Sequence, residues 1–171
     1  MGKSAATGTC AFATVLMVGA YLAIYSTAPG AAGKPDAPSN PYDACVLVTA
    51  ADLQATLGTS FKVTDSGDNG DARVCQYEST KEKYIVSLYT NNKEQSEFQA
   101  ESSKAASEGH YAAFSVGGAP AYKLVFMGRL VVWKNRITIT VDIGDVSFTS
   151  TPEALDAARE KLASIALARM H

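Results

Sequence analysis

Histidine is almost missing from this chain, with His110 and His171 the only two. A zinc site needs three or four nitrogen and thiolate ligands at set spacings, and two remote histidines with three cysteines do not supply them. The cysteines, Cys10, Cys45 and Cys75, form neither C-x-x-C nor C-x-x-C-H, so a thioredoxin-like redox pair and c-type haem attachment both lack their motifs. Basic runs are missing too. Fifteen Lys and Arg against 17 Asp and Glu give a formal charge of −2, or −3 once Lys3 is set aside. No stretch concentrates positive charge as a nucleic-acid partner would require. No G-x-S-x-G elbow accompanies His110, which reads as a surface residue beside a helix-ending glycine. Gly117-Gly118-Ala119-Pro120 has the spacing of neither G-x-G-x-x-G nor G-x-x-x-x-G-K-[ST], so it reads as a turn or bulge and not a phosphate cradle. We therefore expect a protein that is not an enzyme, with no catalytic residue and no cofactor.

The longest absence is of charge itself: no charged residue lies between Lys3 and Lys34. Residues 5–25, AATGTCAFATVLMVGAYLAIY, number about 21 and would form a helix ~31 Å long, close to the ~30 Å hydrocarbon core of a bilayer. Tyr21 and Tyr25 stand at its outer end, where amphipathic rings favour the interface. Gly19 and Ala23 form a small-xxx-small pair that lets a second membrane helix approach the backbone. Residues 1–32 thus read as an N-terminal membrane anchor in contact with lipid through residues 5–25. The competing reading is a cleaved signal peptide, for which Lys3, the apolar run and Gly30-Ala31-Ala32 supply the three required regions. Both readings put the rest of the chain outside the cytoplasm, and Lys3 fits the positive-inside rule. Cys10 is not a lipidation site, because Thr7-Gly8-Thr9 precedes it and the apolar run follows it. Ala6 breaks the myristoylation pattern.

Three prolines in residues 33–41, GKPDAPSNP, stop any helix and make a semi-rigid spacer. Residues 42–171 are enough for one domain with a single core. Cys45 and Cys75 are its only cysteines, and an oxidising compartment favours their pairing. Closing a loop of about 30 residues would constrain the unfolded chain by ~3–4 kcal/mol.

Within that domain Thr49 and Asp52 mark a helix start, Val48 and Leu53 occupy staple positions, and Gly58 supplies a left-handed exit, so a short helix is expected over Ala50–Leu57. Extended runs follow at 61–64, 74–79 and 84–91. Residues 94–108 read as a largely solvated helix. Runs at 121–126, 129–134 and 136–143, with turns at Met127-Gly128 and Lys134-Asn135, have the pattern of an antiparallel meander. A last helix opens at Thr151-Pro152, with Leu155, Ala158, Leu162, Ile165 and Arg169 on one stripe, widened by Ala166 and Met170. The expected class is α+β: an antiparallel sheet of about six strands packed by helices, with one disulfide. The order helix, three strands, helix, three or four strands, helix suggests a loose duplication.

Two clusters merit chemistry. Residues 65–71, DSGDNGD, imitate a calcium loop, with Asp65, Asn69 and Asp71 at ligand positions, but Gly67 and Gln76 replace the ligands at three and twelve. A solvated turn between strands is the preferred reading. Tyr122, Phe126 and Trp133 would line a ligand groove or partner surface, or else pack as half-buried strand residues do.

The runs D-A-C-V-L-V-T-A-A-D-L-Q-A-T-L-G at 43–58, Cys75-Gln76-Tyr77, V-G-G-A-P-A-Y at 116–122 and the closing Ala/Leu-rich helix resemble the small domain of bacterial exported lipoproteins of unknown function. The resemblance implies a Cys45–Cys75 disulfide and a place in the bacterial envelope. It brings no catalytic residues, and the chain departs from it in lacking a lipobox. The expected function is a non-enzymatic accessory subunit, single-pass in the bacterial cytoplasmic membrane with its C-terminal domain in the periplasm. It would make protein contacts in a larger membrane complex, respiratory or photosynthetic assemblies being the first to check. The alternative is a secreted or anchored ligand-binding or sensing module.

Overall fold

The computed structural model describes residues 41–69, 72–108 and 111–171, leaving the side chains of Asn69, Tyr111, Ala112 and Phe126 outside that description. The expected membrane segment with Gly19 and Ala23, most of the proline-rich spacer, Asp71 and His110 all lie outside the described residues. No helix among the described residues is long and apolar enough to cross a membrane.

The elements run α1 (Ala44–Leu47), α2 (Ala50–Leu57), β1 (Phe61–Asn69), β2 (Ala72–Ser79), β3 (Tyr84–Asn92), α3 (Gln95–Ser107), β4 (Tyr111–Val116), β5 (Ala119–Leu124), a 3-10 turn (Val125–Met127), β6 (Arg129–Lys134), β7 (Ile137–Asp145) and α4 (Pro152–Arg169). Seven strands form one antiparallel sheet in the order β1-β2-β3-β7-β6-β5-β4. Two meanders, β1–β3 and β4–β7, are thus joined through β3 and β7. The expected α+β class and the disulfide hold, whereas the strand count rises from six to seven. The added strand, β4, is an edge strand of sequence YAAFSV, whose two alanines blunt the alternation that marks a strand.

Local chemistry sets the element ends. Thr49 and Asp52 form a reciprocal capping box on α2, and Gly58 leaves it at φ +72. Thr151 caps α4 ahead of Pro152. Asn135 and Arg136, both at positive φ, make a two-residue turn from Lys134 to Ile137, one residue later than the sequence suggests. Gly117 and Gly118, also at positive φ, make the corresponding turn between β4 and β5.

The sheet has two unlike faces. On one, Cys75, Tyr77, Val86, Leu88, Leu130, Val132, Ile139, Val141 and Ile143 pack under α1, α2 and α4 in the main core. Cys45 bonds to Cys75 and ties α1 to β2. The Tyr77 hydroxyl, buried in the same place, donates to the Val48 carbonyl at 2.5 Å, and this burial raises its pKa to about 12. On the other face α3 packs through Phe98 against Tyr122 and Leu124 of β5 and Val131 and Trp133 of β6.

The stripe of α4 is rotated from the expected one. Ala158, Arg159, Leu162, Ala163, Ala166 and Leu167 are buried, while Arg169 points outward to pair with Asp52. A charged residue can stand on the buried arc because Arg159 keeps partners there: Nη1 donates to Asp156 at 2.9 Å and Nη2 to the Ile143 carbonyl at 2.8 Å.

Candidate functional site

Of the suspected calcium loop, residues 65–71, the described part is not a loop. Residues Asp65 to Asn69 continue β1, pairing from Asp65 opposite Gln76 to Asn69 opposite Ala72. A strand alternates its side chains, so Asp65 and Asp68 point to opposite faces and Asp68 pairs with Arg73 at 3.5 Å. No group of three potential metal ligands occurs among the described residues.

Tyr122 is buried and Trp133 half-buried beneath α3 of the same chain. Their rings stand 5.3 and 6.4 Å from Phe98, the Tyr122 hydroxyl donates to Glu101, and Trp133 Nε1 donates to the Lys93 carbonyl at 2.8 Å. The backbone of Phe126 lies in the 3-10 turn after β5.

The geometry singles out the sheet end formed by that turn and the β7–α4 loop. Between them runs a groove of about 370 Å³ lined by apolar Leu124, Val125, Met127 and Leu155 together with Lys123, Arg129, Asp156 and Arg159. A larger depression of about 620 Å³, beside α3, is lined mainly by polar side chains, and its Lys93 is already paired with Glu101. Lys123 Nζ reaches Asp156 at 3.1 Å and Glu160 at 2.9 Å. Burial alone would lower its pKa, but these two hydrogen bonds outweigh it and raise the pKa. Among the described residues Asp142 engages only Nε of Arg129, at 2.8 Å. Arg159 is 5 % exposed, and its Nε–H has no hydrogen-bond partner. Gly128, at φ +57, lies against this guanidinium: a Cβ there would stand 2.7 Å from Nη2.

Beside the groove, Asp145 organises the loop that follows β7. Its carboxylate accepts from Ser147 N and Oγ, Thr149 N and Ser150 N, and the Ser147 hydroxyl foremost among these holds the Asp145 pKa far below the usual carboxylate range. The loop so fixed carries Phe148, which is 92 % exposed at φ +54, a left-handed conformation that bulky side chains rarely adopt. Val125, Met127 and Val146 are each more than half exposed, and Ile85, opposite Gly144 near the start of β3, is exposed as well. Five of the seven large apolar side chains exposed among the described residues therefore gather at one end of the sheet.

Tyr42 stands at the other end of β3. The Tyr42 carbonyl accepts from Thr90 at 2.8 Å, whereas the Phe148 loop leaves β7 opposite Tyr84. Six residues of β3 separate the two points, roughly 20 Å.

Sequence reasoning missed Arg159, Asp145 and Phe148. The first had a signal, an arginine three and four residues from Leu162 and Leu155 on an apolar arc. Phe148 had none, because an isolated aromatic among Ser and Thr does not report its exposure.

Comparisons with curated proteins and with solved structures each found no match. A family described as "Protein of unknown function (DUF3558)" matches residues 22–155, which include every strand of the sheet and the start of α4, and the chain belongs to that family.

Proposed function

We propose that the chain is a membrane-anchored accessory subunit of the bacterial envelope, in which residues 1–32 span the cytoplasmic membrane and the folded domain makes protein contacts on the periplasmic side. The observation that carries this reading is the apolar end of the sheet. Phe148, Val146, Val125, Met127 and Ile85 all meet solvent there. Patches of exposed apolar side chains rimmed by polar ones mark interaction sites. Lipid is the weaker partner for this end, since the cations lining the groove are paired with Asp142, Asp156 and Glu160, with no basic excess to draw an anionic surface. The alternative, a ligand-binding or sensing module, has the groove in its favour, but a ligand filling it leaves the Phe148 loop uncovered. Extraction of native membranes in mild detergent, followed by a native gel and mass spectrometry, tests the proposal. The chain is expected in a larger assembly with a defined partner, and migration as a free monomer would overturn it.

A further inference from the structure

Going beyond the proposed function and independently of it, we infer that the free edge of β4 pairs with the same edge of a second copy of this chain, antiparallel and centred on Ala113. The sheet has two edge strands, β1 and β4, and they are unlike. An edge strand offers unpaired N–H and C=O groups to any other strand unless charge, a bulge or a covering segment guards it. β1 is guarded: its register with β2 shifts between Val63 and Asp65, and Lys62, Asp65 and Asp68 place charge along it. β4, YAAFSV, carries no charge and no proline, and its register with β5 is unbroken from Tyr111 opposite Leu124 to Val116 opposite Ala119. Ala113 and Ser115 are exposed, and among the described residues no segment other than β5 hydrogen-bonds to the backbone of residues 113–116.

The turn that ends β4 fixes which groups point outward. Gly117 and Gly118, at φ +57 and +82, make a two-residue turn, and such a turn is closed by a hydrogen-bonded pair, here Val116 and Ala119. Hydrogen-bonded and non-hydrogen-bonded pairs alternate along an antiparallel ladder. Phe114 and Ala112 therefore bond to β5 as well, whereas Tyr111, Ala113 and Ser115 direct their N–H and C=O groups away from it. Pro120 agrees independently, since it stands opposite Ser115 and its missing N–H costs nothing where no bond to β4 is needed. The free edge thus carries three residues evenly spaced about Ala113. Pairing with the twin, Ala113 opposite Ala113 and Tyr111 opposite Ser115, joins all of those groups in about six main-chain hydrogen bonds, and a shift of two residues would leave about a third of them unmade.

The occupant follows from what the edge offers. Neither cavity described above is lined by a β4 residue, so the edge presents main chain and small side chains, with little to select the alternate side chains of a foreign strand. The twin brings an edge that matches: uncharged, of the same length, and with its outward groups on the same spacing. Like charges directly opposite one another would oppose self-pairing, and β4 has none. With β1 guarded, each copy has a single open edge, so the pairing closes as a two-fold dimer and does not run on into a fibre.

The test uses the full chain carrying Cys10→Ala, purified in mild detergent, with its mass followed by analytical ultracentrifugation up to millimolar concentration. A dimer is expected. Ala113→Pro should weaken it at least tenfold, because proline there removes an outward N–H and no bond of the parent sheet. Ala113→Lys and Ala113→Glu each set like charges opposite one another on the two-fold axis and should each weaken it at least tenfold. Mixed in equal amounts, the two should form a heterodimer, as expected where position 113 faces itself. A dispersed amide spectrum shows that each variant is folded, and the Lys and Glu pair carries the test if Ala113→Pro does not fold. A monomer at every concentration, a dimer indifferent to Ala113→Pro, charge variants that dimerise like wild type, or a mixture that stays monomeric would each overturn the inference. A complex with a different protein that is lost with Ala113→Pro would assign the edge to a foreign strand and overturn it too. A homodimer with no further component in native membranes would remove the proposed function and leave this inference standing.

Discussion

Replacing Phe148 by glycine separates what this residue does for the fold from what it does for contact. Its side chain is 92 % exposed, so the substitution removes almost no packing. Its backbone stands at φ +54, where a residue with a Cβ pays roughly 1–2 kcal/mol that glycine does not. Against this, glycine gives the unfolded chain extra freedom, which costs about 0.5–1 kcal/mol. The Asp145 carboxylate accepts only from Ser147, Thr149 and Ser150, and the Phe148 N–H that donates to the Asp145 carbonyl at 3.4 Å is kept in glycine, so these bonds are untouched. The balance is a domain of equal stability or one more stable by up to about 1 kcal/mol, which for a domain of this size raises the melting temperature by a few degrees. Contact runs the other way: an aromatic ring of this size buried at an interface contributes on the order of 2 kcal/mol or more, so the affinity for the partner should fall by a factor of about 30 or more. Urea unfolding of wild type and Phe148→Gly, with partner retention on a native gel, reads both quantities. Destabilisation by more than about 1 kcal/mol would show that Phe148 packs within its own domain and would refute the reasoning.

Other expectations concern the frame behind that surface. The double variant Cys45→Ala/Cys75→Ala should lose about 3–4 kcal/mol in urea titrations, because the bond closes a separation of 30 residues. Asp52, held at a pKa of about 2 chiefly by hydrogen bonding to Arg169, lies below its ordinary value of 3.8. Its contribution is therefore complete above about pH 4 and is lost as pH falls through 2. Linkage allows at most roughly 2 kcal/mol, and solvent screening of the 40 % exposed Arg169 reduces this to about 1 kcal/mol. Acid titration of Arg169→Ala should lack that step. Gly128→Ala should destabilise by about 1–3 kcal/mol, since its Cβ would meet the Arg159 guanidinium at 2.7 Å and its φ is positive. Phe148→Gly is the inverse case, a positive φ with open surroundings.

Where local chemistry was strong, the fold was legible from sequence. The Thr49/Asp52 box and Gly58 set α2 to the residue, and Thr151-Pro152 set the start of α4. The alternation of Ile137, Ile139, Val141 and Ile143 marked the buried face of β7. Legibility failed where a partner across the sheet overrode the local signal. Residues 65–69 look like a solvated turn, yet pairing with residues 72–76 and the cross-strand ion pairs Lys62–Glu78 and Asp68–Arg73 carry them into β1. The stripe on α4 was misplaced because Arg159 reads as a surface residue until Asp156 and the Ile143 carbonyl are seen to hold it. The site was hardest to see, being assembled from residues 123–129 and 150–159, which are neighbours only because β5, β6 and β7 end at the same edge.

The most direct measurement is site-specific photo-cross-linking in native membranes, with a benzophenone side chain placed at position 148 and, separately, at Ser103 on the outer side of α3. The account predicts one discrete adduct from position 148, migrating with the complex on the native gel, and none from position 103. Equal adducts from both positions, or none from position 148, would contradict it.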